Sequence, residues 1–232
     1  MWYPKTPGKQ PMKKYYEAYD ERYRMIHEKG SSWTSSNPTP IVMDTVTKYG
    51  IIHDAKVLEI GCGEGRDAFQ LLDNGYDILA TDISTEAVEY CRKVRPEYAD
   101  KFAVMNCIED EISSSFDFIY AVAVVHMLVK DEDRNAFYRF IHDHLNKDGV
   151  ALICSMGNGV RETAGDADRA FDIVERSHES GPVFVPATTL RMVNSETFEN
   201  EICRNGLSII EKGITESPPE FNELMYAIVR KK

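Results

Sequence analysis

The sequence has little that would build a disulfide framework, a zinc site or a membrane span. Its five cysteines are odd in number, widely scattered and never in a C-x-x-C pair. We therefore expect reduced thiols, no bound metal and a cytoplasmic location. The longest apolar run is 119–125, much shorter than a membrane helix requires, and residues 1–14 lack the apolar segment of a signal peptide. Neither secretion nor membrane association is expected.

Positive charge is also scarce. The chain has 27 Lys and Arg against 38 Asp and Glu, which gives a formal net charge of −11. A field of that sign repels phosphate backbones. We expect a small-molecule substrate, neutral or cationic, no nucleic acid partner, and a monomer or a homodimer.

The central part of the chain alternates between strand-like and helix-like patterns. Strands are predicted at 56–60, 77–82, 101–106, 116–123 and 150–156, and helices at about 65–74, 85–95 and 131–146. Strands separated by helices of this length need crossover connections, so the sheet should be mainly parallel and covered on both faces. A helix at 195–205 and an antiparallel pair, 207–215 and 223–230, should complete it.

Two segments fall outside this alternation. Residues 12–29 have the spacing of an amphipathic helix, followed by a Ser- and Pro-rich loop at 31–40 and a second helix from Pro40 to near Gly50. Residues 157–193 form a long connection rich in Gly and Pro with a short helical pattern at 166–178. We predict an N-terminal helical cover, 1–50, on a domain, 51–232, whose insertion 157–193 meets 12–40 as a mobile cover.

A glycine loop, Gly61-Cys62-Gly63-Glu64-Gly65, follows the first strand. It departs from the dinucleotide fingerprint G-x-G-x-x-G, because the third glycine position falls on Arg66. Acids at Glu59 and Glu64 suit a bound ammonium group better than a pyrophosphate. Asp82 ends the second strand, where its carboxylate could accept hydrogen bonds from both ribose hydroxyls of an adenosine.

These residues carry a family resemblance. The stretch "VLEIGCGEGRDAFQLLDNGYDILATDIS" resembles motif I of the class I S-adenosylmethionine-dependent methyltransferases, in the small-molecule branch near the thiopurine and tellurite-resistance enzymes. The resemblance extends through 114–128 and 145–153. It implies an α/β, Rossmann-like, doubly wound sheet of seven strands with the last one antiparallel, S-adenosylmethionine as cofactor, and methyl transfer to a small molecule.

The resemblance also assigns residues to parts of the cofactor. It places Glu59, Gly61, Cys62 and Gly63 at the methionine end, Asp82 at the ribose, Ile83 at the adenine face, Asn106, Cys107 and Ile108 at the adenine edge, and the Ala121 carbonyl at the methionine ammonium. Asn106 stands where the family often has Asp, and Ile83, Ile108 and Ala121 are equally compatible with core positions. Cys107 is expected to be a packed small side chain.

The acceptor side is less defined by sequence. His126, after the fourth strand, is the candidate catalytic base. Candidate substrate contacts are Tyr19, Trp33, Arg161, His178 and Arg191, with Phe171 and Phe184 as apolar walls. A nicotinamide oxidoreductase and a catalytically silent S-adenosylmethionine-binding protein are the alternative functions, and the methylated atom is left open.

Overall fold

The molecule is built around a seven-stranded sheet in the computed structural model, which describes residues 13–232. The strands of the sheet are β1 Val57–Ile60, β2 Ile78–Asp82, β3 Phe102–Val104, β4 Phe116–Val122, β5 Leu145–Met156, β10 Leu207–Ser217 and β11 Phe221–Lys231. Their order is β10-β11-β5-β4-β1-β2-β3. All pairs are parallel except those made by β11, which runs antiparallel to β5 and β10. The predicted fold class, including the antiparallel last strand, is confirmed.

Residues 13–232 contain six α-helices around the sheet. They are α1 Ala18–His27, α2 Pro40–Lys48, α3 Arg66–Asp73, α4 Thr85–Val94, α5 Asp131–His144 and α6 Ser195–Arg204. In β1, Leu58 and Ile60 face the apolar cluster that includes α5 and α6, whereas Val57 faces the cluster of α2, α3 and α4. Because successive side chains of a strand point to opposite faces, this alternation buries both faces of the sheet.

The insertion after β5 differs from its prediction. It contains β6 Thr163–Ala164 paired with β9 Arg191–Met192, and β7 Ile173–Arg176 paired with β8 Val183–Pro186. The helical pattern at 166–178 is therefore wrong, apart from one 3-10 turn at Ala167–Arg169. The β-branched pair Ile173 and Val174 aligns with Pro186 and Val185 across the hairpin, and this tertiary pairing overrides a weak local preference.

The N-terminal helix packs directly on this insertion. Ile26 of α1 is fully buried in a small cluster with Val183 and Val185 of β8. Arg22 of α1 donates hydrogen bonds to the main-chain oxygens of Pro186 and Ala187. Met12, the first residue of the predicted amphipathic helix, lies outside the described residues. The segments before β1 and after β5 thus form one layer above the same sheet edge.

A buried ion pair fixes the chain after β4. Arg134 of α5 and Glu201 of α6 are 0% and 1% exposed, and their side chains form two hydrogen bonds of 2.8 and 2.6 Å. Arg134 also donates to the main-chain oxygens of Val125 and Leu128, at 2.7 and 3.2 Å. The pair therefore holds the turn that carries His126.

Glu201→Gln should destabilise the fold, because it leaves the Arg134 charge buried without a counter-ion. We expect a loss of about 3–5 kcal/mol in the free energy of unfolding, measured by urea denaturation. Glu199→Gln is the matched control on the same helix, since its partner Lys212 is exposed, and it should cost no more than about 0.5–1 kcal/mol. Equal effects of the two variants would contradict the role of the buried pair.

Candidate active site

A cavity of about 920 Å³ lies beyond the carboxyl ends of the central strands. Its floor is formed by residues that follow β1, β2, β3 and β4, and its roof by α1, the 33–35 loop and the insertion. In the sheet, β1 lies between β2 on one side and β4 on the other. The cavity therefore lies where the strand order reverses. Ligands of open parallel sheets bind at this position.

The glycine loop is shaped by two residues that cannot carry a side chain. Gly61 and Gly63 have φ of 74° and 52°, in the left-handed region. A Cβ on Gly61 would collide with the Val124 side chain, and one on Gly63 would lie 2.8 Å from the Tyr23 hydroxyl. The backbone therefore passes close to neighbouring elements at both positions, which only glycine allows without strain.

Four of the five amides of this loop are already occupied. The N–H groups of Gly61 and Cys62 donate to the Thr81 oxygen at 2.7 and 2.9 Å. The Gly63 N–H donates to Asp82 Oδ2 at 2.8 Å, and the Gly65 N–H donates to the Cys62 oxygen. A pyrophosphate cradle needs several free amides pointing at one anion. The loop lacks that cradle, which argues against the nicotinamide dinucleotide alternative.

Asp82 lies at the end of β2 and lines the cavity. Its two oxygens accept the N–H groups of Gly63 and Ser84, both at 2.8 Å. Burial raises the pKa of this carboxyl, although the same hydrogen bonds oppose the rise. A carboxylate has about four lone-pair positions, so acceptor capacity remains toward the cavity, as a ribose contact requires.

Glu59 is the least satisfied acid of the site. It is 3% exposed, lines the cavity, and its Oε2 has no hydrogen-bond partner among residues 13–232. Desolvation raises the pKa of this carboxyl well above its usual range, and the nearby Asp67 charge raises it further. A buried carboxylate in this state is stabilised by any cationic donor that reaches it.

Glu64 has a different task from the one expected. Its carboxylate, predicted beside a bound ammonium, instead accepts the main-chain N–H groups of Trp33 and Thr34, both at 2.7 Å. It also contacts the Thr34 hydroxyl and His27 Nε2, both at 2.8 Å. These partners occupy both oxygens, so Glu64 holds the N-terminal segment on the glycine loop.

A second polar cluster joins the same loop to the C-terminal hairpin. Arg66, at the missing third glycine position, donates to Thr39 and pairs with Asp67 and Glu220. Asp67 accepts the main-chain N–H of Thr39 at 2.6 Å. Glu220 accepts the N–H of Ser35 at the same distance. Arg66 and Asp67 are therefore buried connectors and not the surface residues of an ordinary helix start.

His126 lines the cavity but has the wrong hydrogen bond for a base. Its Nδ1 accepts the Met156 N–H at 3.3 Å, so in the neutral ring the proton resides on Nε2. Burial and then the Arg134 charge lower its pKa to about 3. This geometry favours a neutral hydrogen-bond donor over the general base that we expected.

The residues predicted to contact the adenine all reach the cavity. Ile83, Asn106, Cys107 and Ile108 line the cavity together with Cys62. Asn106 Oδ1 accepts the Ile108 N–H at 3.0 Å, which removes that amide from contact with a base. Burial raises the pKa of Cys107 to about 12, as for a packed thiol.

Ala121 does not reach the cavity. It is 1% exposed within the core cluster, because its position in β4 points to the face covered by α5. Val122, Ala123 and Val124 line the cavity instead. Ala123 has a φ of 59°, a strained conformation that often marks functional sites. The residues that face the cavity at the end of β4 are therefore those after Ala121.

Only some of the residues predicted to contact the methyl acceptor line the cavity. Tyr19, Trp33 and His178 line the cavity, and the rings of Trp33 and His178 stack at 5.8 Å between centroids. Arg161 is exposed outside the cavity, and Arg191 is bound to Asp131. Neither Phe171 nor the exposed Phe184 forms a wall of the cavity.

Sequence reasoning missed Arg22, which lines the cavity roof. A signal was present, since residue 22 lies three positions from Tyr19 and four from Ile26, on the apolar face of α1. A charge on the buried side of an amphipathic helix needs a partner or a ligand.

No group of three or more metal-ligating side chains occurs in residues 13–232, and no helix of that range could cross a membrane.

Comparison with known proteins agrees with this geometry. Residues 58–151 match a family described as "Methyltransferase domain". The central part of the chain is therefore similar to methyltransferase domains. The predicted family resemblance is confirmed, and the matched range covers β1 through the first half of β5, with the glycine loop and Asp82 inside it.

Relatives of the methyltransferase domain extend over different lengths. A curated relative, a probable S-adenosyl-L-methionine-dependent methyltransferase TehB from Haemophilus influenzae, is 28% identical over 121 residues, which are 50% of this chain and 41% of that protein. The chain thus spans less than half the length of this relative.

Solved structures of low sequence identity share the fold over nearly the whole chain. One is the Burkholderia thailandensis 1,6-didemethyltoxoflavin-N1-methyltransferase with S-adenosylhomocysteine, with a TM-score of 0.69, 15% identity and coverage of 98% and 94% of the two chains. Another is an S-adenosylmethionine-dependent methyltransferase from Clostridium acetobutylicum, with a TM-score of 0.65, 16% identity and coverage of 93% and 98%.

Glu59→Gln should change how the stability of the ligand-free protein depends on pH. The raised pKa means that the native state keeps a proton that the unfolded chain releases above its ordinary value of 4.5. The contribution of Glu59 to the free energy of unfolding therefore falls as the pH rises from 4.5 toward the raised value. A glutamine side chain does not titrate, so the free energy of unfolding of Glu59→Gln should not show this decline with pH.

Urea denaturation at pH 5, 6, 7 and 8 measures the difference between the two profiles. Glu89→Gln, an exposed change on α4, is the control and should follow the wild type. Parallel profiles for Glu59→Gln and the wild type would contradict the raised pKa.

Proposed function

We propose that this protein binds S-adenosylmethionine in the cavity and transfers its methyl group to a small-molecule acceptor held under the layer of α1 and the insertion. The observation that carries the proposal is the pair of buried acids, Glu59 and Asp82, on either side of a glycine loop in which four of five amides are already occupied. That arrangement suits a ligand with an ammonium group and ribose hydroxyls, and it disfavours one with a pyrophosphate.

The residues fit the cofactor on chemical grounds. Glu59 Oε2, buried without a partner, would accept the α-ammonium group of the methionine part. Asp82 would accept the ribose hydroxyls, and Ile83 would pack against the adenine. The bound cofactor supplies a methyl group on a sulfonium. The protein then needs to align the acceptor with that methyl group and exclude water, since positioning provides much of the rate of such a transfer.

His126 would orient the acceptor. Its neutral ring offers the Nε2 proton, which suits an acceptor with an oxygen or nitrogen lone pair beside the methylated atom. No base is required if the acceptor arrives deprotonated or carries a free lone pair. A silent binding protein would lack turnover, and a panel of acceptors assayed for S-adenosylhomocysteine formation separates the two functions.

The acceptor is proposed to be small and not a nucleic acid. The net charge of −11 opposes binding of a phosphate backbone, and α1 and the insertion lie over the cavity. A cytoplasmic location is supported by five cysteines that are all free. A monomer or a homodimer remains our proposal for the assembly.

Asp82→Ala should weaken the binding of S-adenosylmethionine by about 1–3 kcal/mol, because the ribose loses a buried partner. Calorimetric titration with S-adenosylmethionine, S-adenosylhomocysteine and NAD measures the affinities. Asp77→Ala, before the other end of β2 and paired with the surface Lys101, is the matched control and should bind normally.

The ribose contact can be separated from a distortion of the loop. The wild type should bind 5′-methylthioadenosine more tightly than its 2′-deoxy analogue, and Asp82→Ala should bind both alike. If the variant kept the full preference for the hydroxyl, Asp82 would not be the ribose partner. Preference for NAD over the methylated cofactor would instead support the oxidoreductase.

We further propose that residues 13–40 and 157–193 act as a cover that closes over bound cofactor. His178 Nε2 lies 2.8 Å from the Ser32 oxygen, and the Tyr19 hydroxyl donates to the Thr189 oxygen at 3.2 Å. These contacts join the two segments across the cavity. Glu64 attaches the first segment to the glycine loop, so the state of the loop and the state of the cover should be linked.

Hydrogen exchange tests this cover. S-adenosylhomocysteine should increase protection in both segments, whereas Glu64→Gln should lower protection of residues 31–40 by about tenfold, since an amide nitrogen would face the N–H donors of Trp33 or Thr34. Glu89→Gln serves again as the control. Unchanged exchange in both segments on ligand binding would mean that the N-terminal helix is permanently packed and has no covering role.

A further inference from the structure

Arg22 is a buried cation without a counter-ion. It is 7% exposed, and among residues 13–232 no carboxylate lies within ion-pair distance of its guanidinium. It donates to the main-chain oxygens of Pro186 and Ala187 and to Thr188 Oγ1, each at 2.7 Å. Neutral oxygens satisfy hydrogen bonds but do not neutralise the charge.

The other well-buried arginines of the described chain are treated differently. Arg134 has Glu201, and Arg66 has Asp67 and Glu220. Charges inside proteins are expensive unless they are paired. The exception at Arg22 occurs at the lining of the cavity, which is where a ligand could supply the missing negative charge.

A second guanidinium lies beside it. Arg176, at the end of β7, donates to the same Ala187 oxygen at 3.3 Å, lines the cavity and is likewise without an ion pair among the described residues. Burial of Arg22 lowers the pKa of its guanidinium, and the nearby charge of Arg176 lowers it further. Two neighbouring cations with no anion between them repel each other, and a ligand anion would relieve that repulsion.

The acids of the cavity do not fill this role. Glu64, Asp67 and Glu220 are occupied by partners described above, and Glu59 and Asp82 belong to the floor at the strand ends. Glu179 also lines the cavity but forms no ion pair in the described chain. The cavity is therefore acidic on its floor, whereas its roof, where α1 and the insertion meet, carries two arginines and the single acid Glu179.

We propose that Arg22 and Arg176 form the binding site for a carboxylate of the methyl acceptor. This proposal rests on the proposed function and replaces the neutral or cationic acceptor expected from net charge. Arg22 Nη1 makes no hydrogen bond with residues 13–232 and remains a donor for a carboxylate oxygen. Trp33, 4.6 Å from the guanidinium carbon of Arg22, supplies an aromatic wall beside the charge.

The test compares acids with amides of the same shape. The full chain, saturated with S-adenosylhomocysteine, is titrated calorimetrically with acetate and acetamide, benzoate and benzamide, and 1-naphthoate and 1-naphthamide. At least one acid should bind about tenfold more tightly than its amide, because only the acid neutralises the arginines. If no acid binds more tightly than its amide, the proposal is wrong.

Substitutions test whether the two arginines cause the preference for an acid over its amide. Arg22→Gln and Arg176→Gln should both abolish it, whereas Arg161→Gln, an exposed change in the same insertion outside the cavity, should retain it. Arg176 is exposed and makes one hydrogen bond of 3.3 Å, so its variant keeps the test decisive if Arg22→Gln fails to fold. Retention of the preference in Arg176→Gln would overturn the two-arginine site.

The carboxylate of the cofactor is the other source of the same chemistry. Both glutamine variants should bind S-adenosylhomocysteine and 5′-methylthioadenosine, which lacks the amino-acid part, within about twofold of the wild type. A tenfold loss for S-adenosylhomocysteine alone would assign the arginines to the cofactor and overturn the acceptor site. If the wild type binds neither nucleoside, the proposed function fails, and the acid and amide series on the ligand-free chain still tests the anion site.

Discussion

The carboxylate of Glu64 connects the glycine loop to the N-terminal segment. Its backbone belongs to the glycine loop, whereas its side chain accepts hydrogen bonds from His27, Trp33 and Thr34 of the N-terminal segment. A buried carboxylate requires such donors, because desolvation without them costs several kcal/mol. These hydrogen bonds help to hold the 31–40 loop over the strand ends, together with those of Asp67 to Thr39 and Glu220 to Ser35.

Some buried polar side chains of the cavity have the partners that burial requires, and others do not. Arg66, Asp67 and Glu220 satisfy one another and hold the glycine loop against the C-terminal hairpin. Glu59 lacks a hydrogen-bond partner at the floor, and Arg22 lacks a counter-ion at the roof. Both arrangements lower the stability of the ligand-free protein, so their presence on opposite sides of one cavity is best explained by a ligand, or by two ligands, that supply a cationic donor to Glu59 and an anion to Arg22.

The net charge of the chain and the local charges of the cavity predict different acceptors, for a physical reason. The value of −11 describes the field at a distance, where surface acids dominate and salt screens the rest. Inside the cavity, the nearest few charges decide, and these include two arginines brought together from α1 and β7. Their separation in sequence, at 22 and 176, hides the pair from any local pattern.

The sequence by itself determined the alternation of strands and helices, the parallel sheet, the glycine loop and the acids Glu59 and Asp82, because periodicity and strand-end chemistry are local properties. Only the tertiary structure decided the rest. It paired β7 with β8 where a helix was expected, left Ala121 in the core and placed the residues after it at the cavity, directed His126 Nδ1 to the Met156 N–H, and left Arg161 and Arg191 outside the cavity lining. These outcomes depend on contacts beyond the local sequence, and such contacts are fixed by packing and by the need to satisfy buried polar groups.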